Sequence, residues 1–142
     1  MIGRGKTVLV VDAAETTRQM LGAALRSLAF ERVLSVETVD EAERALGSDQ
    51  IDLALIDWQV GEQSGFDLAA DLRTGRVPPR RDLPIVMMSW KVDPKGVLAV
   101  QGLKLNGLLI KPVSWDTLEK KIEVALAPPA KAAPKRFLGQ AS

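Results

Sequence analysis

The sequence predicts a single α/β domain in which a parallel sheet of five strands is covered by helices on both sides. Two observations support this prediction. Five short apolar runs alternate with five stretches whose apolar residues recur at three- and four-residue steps. Three of the runs lack polar alternation, which is typical of strands buried on both faces of a parallel sheet. The length of 142 residues, with 46% hydrophobic and 26% charged residues, fits one globular domain.

The strands are predicted at the five apolar runs, which are Thr7–Val11, Val33–Val36, Leu53–Ile56, Leu83–Met88 and Leu108–Ile110. Right-handed crossovers are expected to join them. The first helix is predicted from apolar residues that share one face at helical spacing, which are Met20, Leu21, Ala24, Leu25 and Leu28. The second begins at Thr38, which can cap it and forms a capping box with Glu41.

The last three helices are predicted from their first turns. The third follows Ser64-Gly65 and carries apolar residues at Phe66, Ala69, Ala70 and Leu72. The fourth lies around Val97–Leu103. Pro94 suits its first turn, but Gly96 and Gly102 lower its helix propensity. The fifth begins at the cap Ser114 and places Leu118, Ile122 and Leu126 on one face.

Composition excludes several classes of function. The chain has no Cys and no His, which removes thiol catalysis, zinc–thiolate sites and the commonest general base. The net charge of +1 gives no global attraction to nucleic acid or to a membrane. No apolar run approaches the length of a membrane span, and no signal-peptide core follows the first residues. The protein is therefore expected to be soluble and cytoplasmic.

Two segments depart from the regular pattern. Residues Arg73–Asp82 are predicted to form a long loop whose four Arg are solvated rather than bound to nucleic acid. The domain is assigned to residues 1–127. Residues 128–142 form a tail rich in Ala, Pro and Lys that is predicted to be disordered.

Four chemically useful residues follow the predicted strands, namely Asp12, Asp57, Ser89 and Lys111. Each alone is more often a turn residue, a helix cap or a solvated charge. Together they should meet at the edge of the sheet formed by the carboxyl ends of the strands, where α/β folds bind ligands. A carboxylate can attack a phosphoryl group. Mg²⁺ held by acids, a lysine ammonium and a hydroxyl can offset the negative charge of that group.

The runs VLVVDAAETTRQML, LALIDWQVGEQSGFDL, LPIVMMSW and LLIKPVSWDTL resemble the CheY-like receiver domains of bacterial two-component response regulators, over about residues 6–127. The resemblance implies a flavodoxin-like (βα)5 fold with three layers. It implies that Asp57 is the phospho-acceptor and that Mg²⁺ is bound by Asp12, Asp57 and the carbonyl of Gln59. It implies that Ser89 is the switch hydroxyl and that Lys111 is the active-site lysine.

Several positions depart from the pattern of that family, among them Val60-Gly61, which replaces the proline often found after the acceptor loop. Ala13 stands where a second acid of the metal site is usual, so Mg²⁺ binding is predicted to be weak unless Glu15 or Glu62 compensates. Leu108 stands at the position of the switch aromatic residue. Trp90 follows the switch hydroxyl, where a small residue is usual.

The resemblance implies a phosphorelay receiver that is phosphorylated by a histidine kinase or a histidine phosphotransfer protein and then docks on a protein target. Such a domain is not an enzyme, beyond self-phosphorylation and self-dephosphorylation. No output domain follows the last helix, so the domain is expected to act alone. The sequence leaves open whether it forms a homodimer. The alternative is a pseudo-receiver, which uses the same fold as a phosphorylation-independent interaction module. A flavin- or nucleotide-binding protein is disfavoured, because no Gly-rich loop follows the first strand.

Overall fold

The computed structural model describes residues 2–76 and 81–128. Five parallel strands form one sheet in the order β2-β1-β3-β6-β7. They are β1 (Thr7–Val11), β2 (Arg32–Val36), β3 (Leu53–Asp57), β6 (Ile85–Ser89) and β7 (Gly107–Ile110). A two-residue antiparallel pair, which the sequence did not predict, follows β3 and consists of β4 (Gln59–Val60) and β5 (Gln63–Ser64).

Five helices alternate with the strands of the sheet. They are α1 (Glu15–Ser27), α2 (Val39–Ser48), α3 (Gly65–Thr74), α4 (Pro94–Gly102) and α5 (Trp115–Leu126). Two apolar clusters lie on opposite faces of the sheet, one packed under α1 and α5 and the other under α2, α3 and α4. The predicted flavodoxin-like, doubly wound fold is confirmed.

The three central strands carry the core. Every residue of β1 and β3 is buried, as are the first four of β6, whereas β2 and β7 lie at the edges and are partly exposed. Burial on both faces explains why these three strands read as apolar runs without polar alternation. The order of the strands reverses between β1 and β3, so the carboxyl ends of these strands flank the crevice where such folds bind ligands.

Side-chain caps fix the beginnings of four helices. Thr38 and Ser114 each accept a hydrogen bond from the backbone N–H three residues on, as the sequence predicted, and Ser64 caps α3 in the same way. The helix α4, which two glycines weaken, is capped by Asp93, whose Oδ1 accepts from the N–H of Gly96 at 2.7 Å. A side-chain cap commonly stabilises a helix by about 1 kcal/mol, which offsets the cost of one glycine.

The loop predicted at Arg73–Asp82 requires a correction. Arg73 lies in the last turn of α3 and is only partly exposed. Its guanidinium donates five hydrogen bonds, to the side chain of Asn106 and to the carbonyls of Arg81, Leu83, Leu103 and Lys104. Burial lowers the pKa of Arg73, and nearby Asp82 acts in the opposite direction. Arg73 therefore ties the end of α3 to the loops that precede β6 and β7.

Residues 77–80 of that loop lie outside the described residues, and so does the predicted tail apart from Pro128. Within the ranges that the structure covers, no helix has the length and apolar character that a membrane span requires.

Candidate functional site

Three charged side chains meet beyond the carboxyl ends of the central strands. The ammonium of Lys111 donates to Oδ2 of Asp12 at 2.6 Å and to Oδ2 of Asp57 at 2.9 Å. Asp12 is 1% exposed, Lys111 6% and Asp57 8%. The structure thus brings the two predicted acids and the predicted lysine into a single buried group, although Lys111 is 99 residues from Asp12 in the chain.

Backbone bonds that continue the sheet hold these residues in place. The N–H of Asp12 donates to Val36, that of Trp58 to Met88, and that of Lys111 to Ser89. Asp12 is also held locally, because its Oδ1 accepts from the N–H of Ala14 at 2.8 Å. Its carbonyl accepts from the guanidinium of Arg18 at 2.8 Å, a contact that the sequence did not predict.

Gly65 permits the helix that follows Asp57 to begin close to the site. A Cβ at Gly65 would lie 1.8 Å from the carbonyl oxygen of Asp57, which no side chain can tolerate. The N–H of Gly65 donates to the carbonyl of Trp58 at 2.8 Å. The sequence placed Gly65 only at a helix start, whereas its close approach to Asp57 depends on the tertiary fold.

Burial sets the electrostatics of the site. It raises the pKa of Asp57, and the negative charge of Asp12 adds to this rise, while the bond from Lys111 opposes it without cancelling it. Burial alone would lower the pKa of Lys111. Its hydrogen bonds to Asp12 and Asp57 outweigh that effect and raise the pKa. The lysine therefore remains charged and offsets one of the two carboxylates.

We expect the Asp57→Asn variant to fold with a melting temperature equal to the wild-type value or a few degrees above it at neutral pH. A carboxyl whose pKa is raised in the folded state binds its proton more tightly there, so its ionisation costs stability as pH rises through the folded pKa. An amide removes this cost and keeps an acceptor for Lys111. Thermal unfolding of both proteins from acid to neutral pH tests this, and a fall of many degrees in the variant would make Asp57 a structural residue.

Ser89 and Gln59 lie beside this group. Both line a cavity that also contains Asp57. The hydroxyl of Ser89, the last residue of β6, accepts from the N–H of Lys91 at 3.2 Å and stays partly exposed. Gln59 is exposed, and its side-chain amide donates to the carbonyl of Gly61 at 3.1 Å. The structure therefore places both predicted site residues at the same edge of the sheet as Asp57.

Two of the three tryptophans border the site. Trp58 stacks on Phe66, with ring centroids 4.7 Å apart. Trp90 is 66% exposed, and the ammonium of Lys111 lies 5.5 Å from the centroid of its ring, within the range of a cation–π interaction. Trp115, in the first turn of α5, does not line the cavity. Leu108, at the predicted switch position, lines it from β7.

The donor set of the site suits a magnesium ion with few protein ligands. The carboxylates of Asp12 and Asp57 converge on one point, which is the ammonium of Lys111. Mg²⁺ is commonly held by one or two carboxylates and several waters, so these residues fit the ion. Among residues 2–76 and 81–128, no group of three acids could hold a metal, so neither Glu15 nor Glu62 completes such a cluster.

Known proteins resemble this chain over most of its length. The response regulator receiver domain model matches residues 8–123. The chemotaxis protein CheY1 of Helicobacter pylori is 30% identical over 120 residues, which are 84% of this chain and 95% of that protein. The structure is similar to that of Vibrio cholerae CheY4, with a TM-score of 0.77 and 23% identity over 85% of this chain and 98% of that one.

A further similar structure is the receiver domain of the sensor histidine kinase PA1611 from Pseudomonas aeruginosa, which has a magnesium ion coordinated in its active-site cleft. Its TM-score is 0.74, with 21% identity over 86% of this chain and 98% of that one. The family model and the similar relative agree on one class of protein, a signalling receiver domain. This chain belongs to the response regulator receiver domain family of two-component systems.

Proposed function

We propose that this protein receives a phosphoryl group on Asp57 from a histidine kinase or a histidine phosphotransfer protein and signals by docking on a protein target. The observation that supports this most directly is the buried bond of Lys111 to both Asp57 and Asp12. Asp57 has one face toward this lysine and another toward a cavity through which a donor can approach. The proposed domain covers residues 1–127, and the proposed setting is the cytoplasm.

In the proposed reaction, a carboxylate oxygen of Asp57 forms a bond to phosphorus. The bond from phosphorus to the donor nitrogen of a phosphohistidine, or to the donor oxygen of an acyl phosphate, breaks. The leaving group takes the electron pair, and a histidine then gains a proton. Lys111 offsets charge on the transferred group, and the hydroxyl of Ser89 can donate to one of its oxygens once it turns from Lys91. Apart from self-phosphorylation and self-dephosphorylation, the protein is not an enzyme.

Asp12, Asp57 and the carbonyl of Gln59 would hold Mg²⁺ in this proposal, and the ion would supply positive charge next to the transferred group. Binding is proposed to be weak. Ala13 is exposed and brings no carboxylate, and one oxygen of Asp12 already accepts from Ala14. The ammonium group of Lys111 also occupies part of the space between the two acids, where the ion would bind.

Restoring an acid at residue 13 should tighten magnesium binding. We expect Ala13→Asp to lower the Kd for Mg²⁺ on the order of tenfold, because hard divalent cations gain affinity with each added carboxylate. The fluorescence of Trp58, next to Asp57, reports the titration, and Trp58→Phe in each background should remove the signal. Coincident titration curves for the wild type and Ala13→Asp would contradict the expectation and would mean that another group already fills the position.

Incubation with acetyl phosphate and Mg²⁺, followed by intact-mass spectrometry, tests the proposed function. We expect wild type to gain the mass of one phosphoryl group and Asp57→Asn to gain none. A wild type that gains nothing would contradict the proposal. It would favour the alternative of a phosphorylation-independent interaction module, for which Ala13, Leu108 and Trp90 are the supporting residues.

A further inference from the structure

A cavity of about 560 Å³ lies between the acceptor site and the first turns of α4. This volume falls within the range of about 300–1,000 Å³ that is typical of small-molecule sites. It lies at the carboxyl-terminal edge of the sheet, where folds of this class bind ligands. Its lining includes Asp57 and Ser89 but extends well beyond them, onto α4 and β7.

Three of the residues that line the cavity from α4 and β7 are small or short and leave room in it. They are Gly96, Ala99 and Leu108. The longer Lys95 of α4 lines it as well. A Cβ at Gly96 would already lie 3.7 Å from the ring of Trp58. Trp58 is fixed by its stacking on Phe66, so one wall of the cavity is a rigid aromatic surface. The exposed indole of Trp90 forms part of the rim.

The acidic and basic residues of the lining differ in whether they already have partners. Both acids have partners, since Asp57 accepts from Lys111 and Asp93 accepts from the N–H of Gly96. Lys91 and Lys95 are exposed and take part in none of the ion pairs formed within residues 2–76 and 81–128. The cavity therefore offers two ammonium groups without an ion-pair partner, and each of its two carboxylates already accepts one hydrogen bond.

We propose that this cavity is a second binding site, specific for a planar aromatic molecule that carries a carboxylate. The ring would pack against the indoles of Trp58 and Trp90, which favour flat aromatic partners. The carboxylate would pair with Lys91 and Lys95 through charge-assisted hydrogen bonds. Since Asp57 and Ser89 line the same cavity, the bound molecule would lie against Asp57 and, where the inference rests on the proposed function, would hinder the approach of a phosphoryl donor.

The test uses the full chain, without phosphorylation, so that it does not depend on whether Asp57 accepts phosphate. Naphthoate and its uncharged counterpart naphthamide are titrated separately, and binding is followed by the backbone amide NMR signals. We expect naphthoate to shift the amides of Lys91, Gly96 and Ala99. We expect it to bind about tenfold more tightly than naphthamide, because only the carboxylate pairs with the lysines.

Two sets of variants test the assigned contacts. The double substitution Lys91→Gln/Lys95→Gln should abolish the preference for naphthoate, whereas Lys120→Gln, on the exposed side of α5, should leave it unchanged. Ala99→Leu keeps helix propensity, fills the cavity and should remove binding of both probes. Val97→Leu, on the same helix but outside the lining, should leave binding intact.

Three results would overturn the proposal. In the first, neither probe shifts the amides of the cavity. In the second, naphthamide binds as tightly as naphthoate. In the third, Ala99→Leu keeps full affinity while the signals outside the cavity show that it is folded.

Discussion

Replacing Lys111 with methionine should lower the free energy of unfolding by about 3–5 kcal/mol at neutral pH, the range measured when one partner of a buried ion pair is removed. Methionine has a similar volume, so the loss should come from charge rather than from packing. Asp12 and Asp57, 1% and 8% exposed, would be left as two buried carboxylates without a cation. Urea unfolding in the presence of a chelator measures the effect without contribution from metal ions.

The dependence on pH distinguishes this account from a simple packing defect. The pKa of Asp57 is already raised by burial, and removing Lys111 should raise it further, so acid should reduce the loss in Lys111→Met. Because the pKa of Lys111 is raised, its own stabilising effect is complete below the pKa of an unfolded lysine. It is lost only as pH rises through the folded value.

A second substitution provides the control. Asp57→Asn in the Lys111→Met background should restore much of the lost stability, because only one buried charge then remains. Lys120→Met, on the exposed side of α5, should change stability by less than about 1 kcal/mol, as expected for a solvated lysine. Equal losses in Lys111→Met and Lys120→Met would show that the buried group contributes nothing to the fold.

Removing the indole of Trp90 should shorten the life of the phosphorylated state. We expect Trp90→Ala to lose its phosphoryl group on the order of tenfold faster than wild type, a change of about 1.4 kcal/mol in activation free energy. Trp90 lies over Lys111 and borders the cavity that contains Asp57, so it covers part of the approach of water. The weak metal binding proposed above would act in the same direction, because it would remove positive charge from the hydrolytic transition state.

The decay is measured by phosphorylating each protein, removing the donor and following the added mass with time. Trp115→Ala is a matched control, because Trp115 is 53% exposed but lies outside the lining of the cavity. It should decay at the wild-type rate. Equal decay rates of wild type and Trp90→Ala would refute shielding and would leave Trp90 as a surface residue that only contacts Lys111.

The fold could be predicted from the sequence because each buried central strand is a short run of apolar residues, which is visible without knowledge of the tertiary structure. β1, β3 and β6 are apolar except for one polar residue at an end of each, and helix caps such as Thr38 and Ser114 mark the intervening helices. The convergence of Asp12, Asp57 and Lys111 follows from the same pattern, since parallel strands bring their carboxyl ends to one edge. Strand ends shifted by one or two residues, as at β6, which begins at Ile85 rather than at Leu83.

Other features depend on contacts between distant residues and leave no local pattern. The five hydrogen bonds of Arg73 go to segments up to 33 residues away in the chain. The Arg- and Pro-rich sequence around it therefore wrongly indicated a solvated side chain. The approach of Gly65 to Asp57 and the position of Trp90 over Lys111 both require the packed fold. The cavity is the space that the short side chains of Gly96, Ala99 and Leu108 together leave empty. None of these residues alone predicts a cavity.

We propose that Asp57, rather than its buried neighbour Asp12, carries the phosphoryl group. Borohydride reduces an aspartyl phosphate to the corresponding alcohol, and peptide mass mapping then locates the reduced residue. After treatment with acetyl phosphate and Mg²⁺, we expect the reduced residue at position 57 in wild type and none in Asp57→Asn. Reduction at Asp12, or no reduced residue in wild type, would contradict the account.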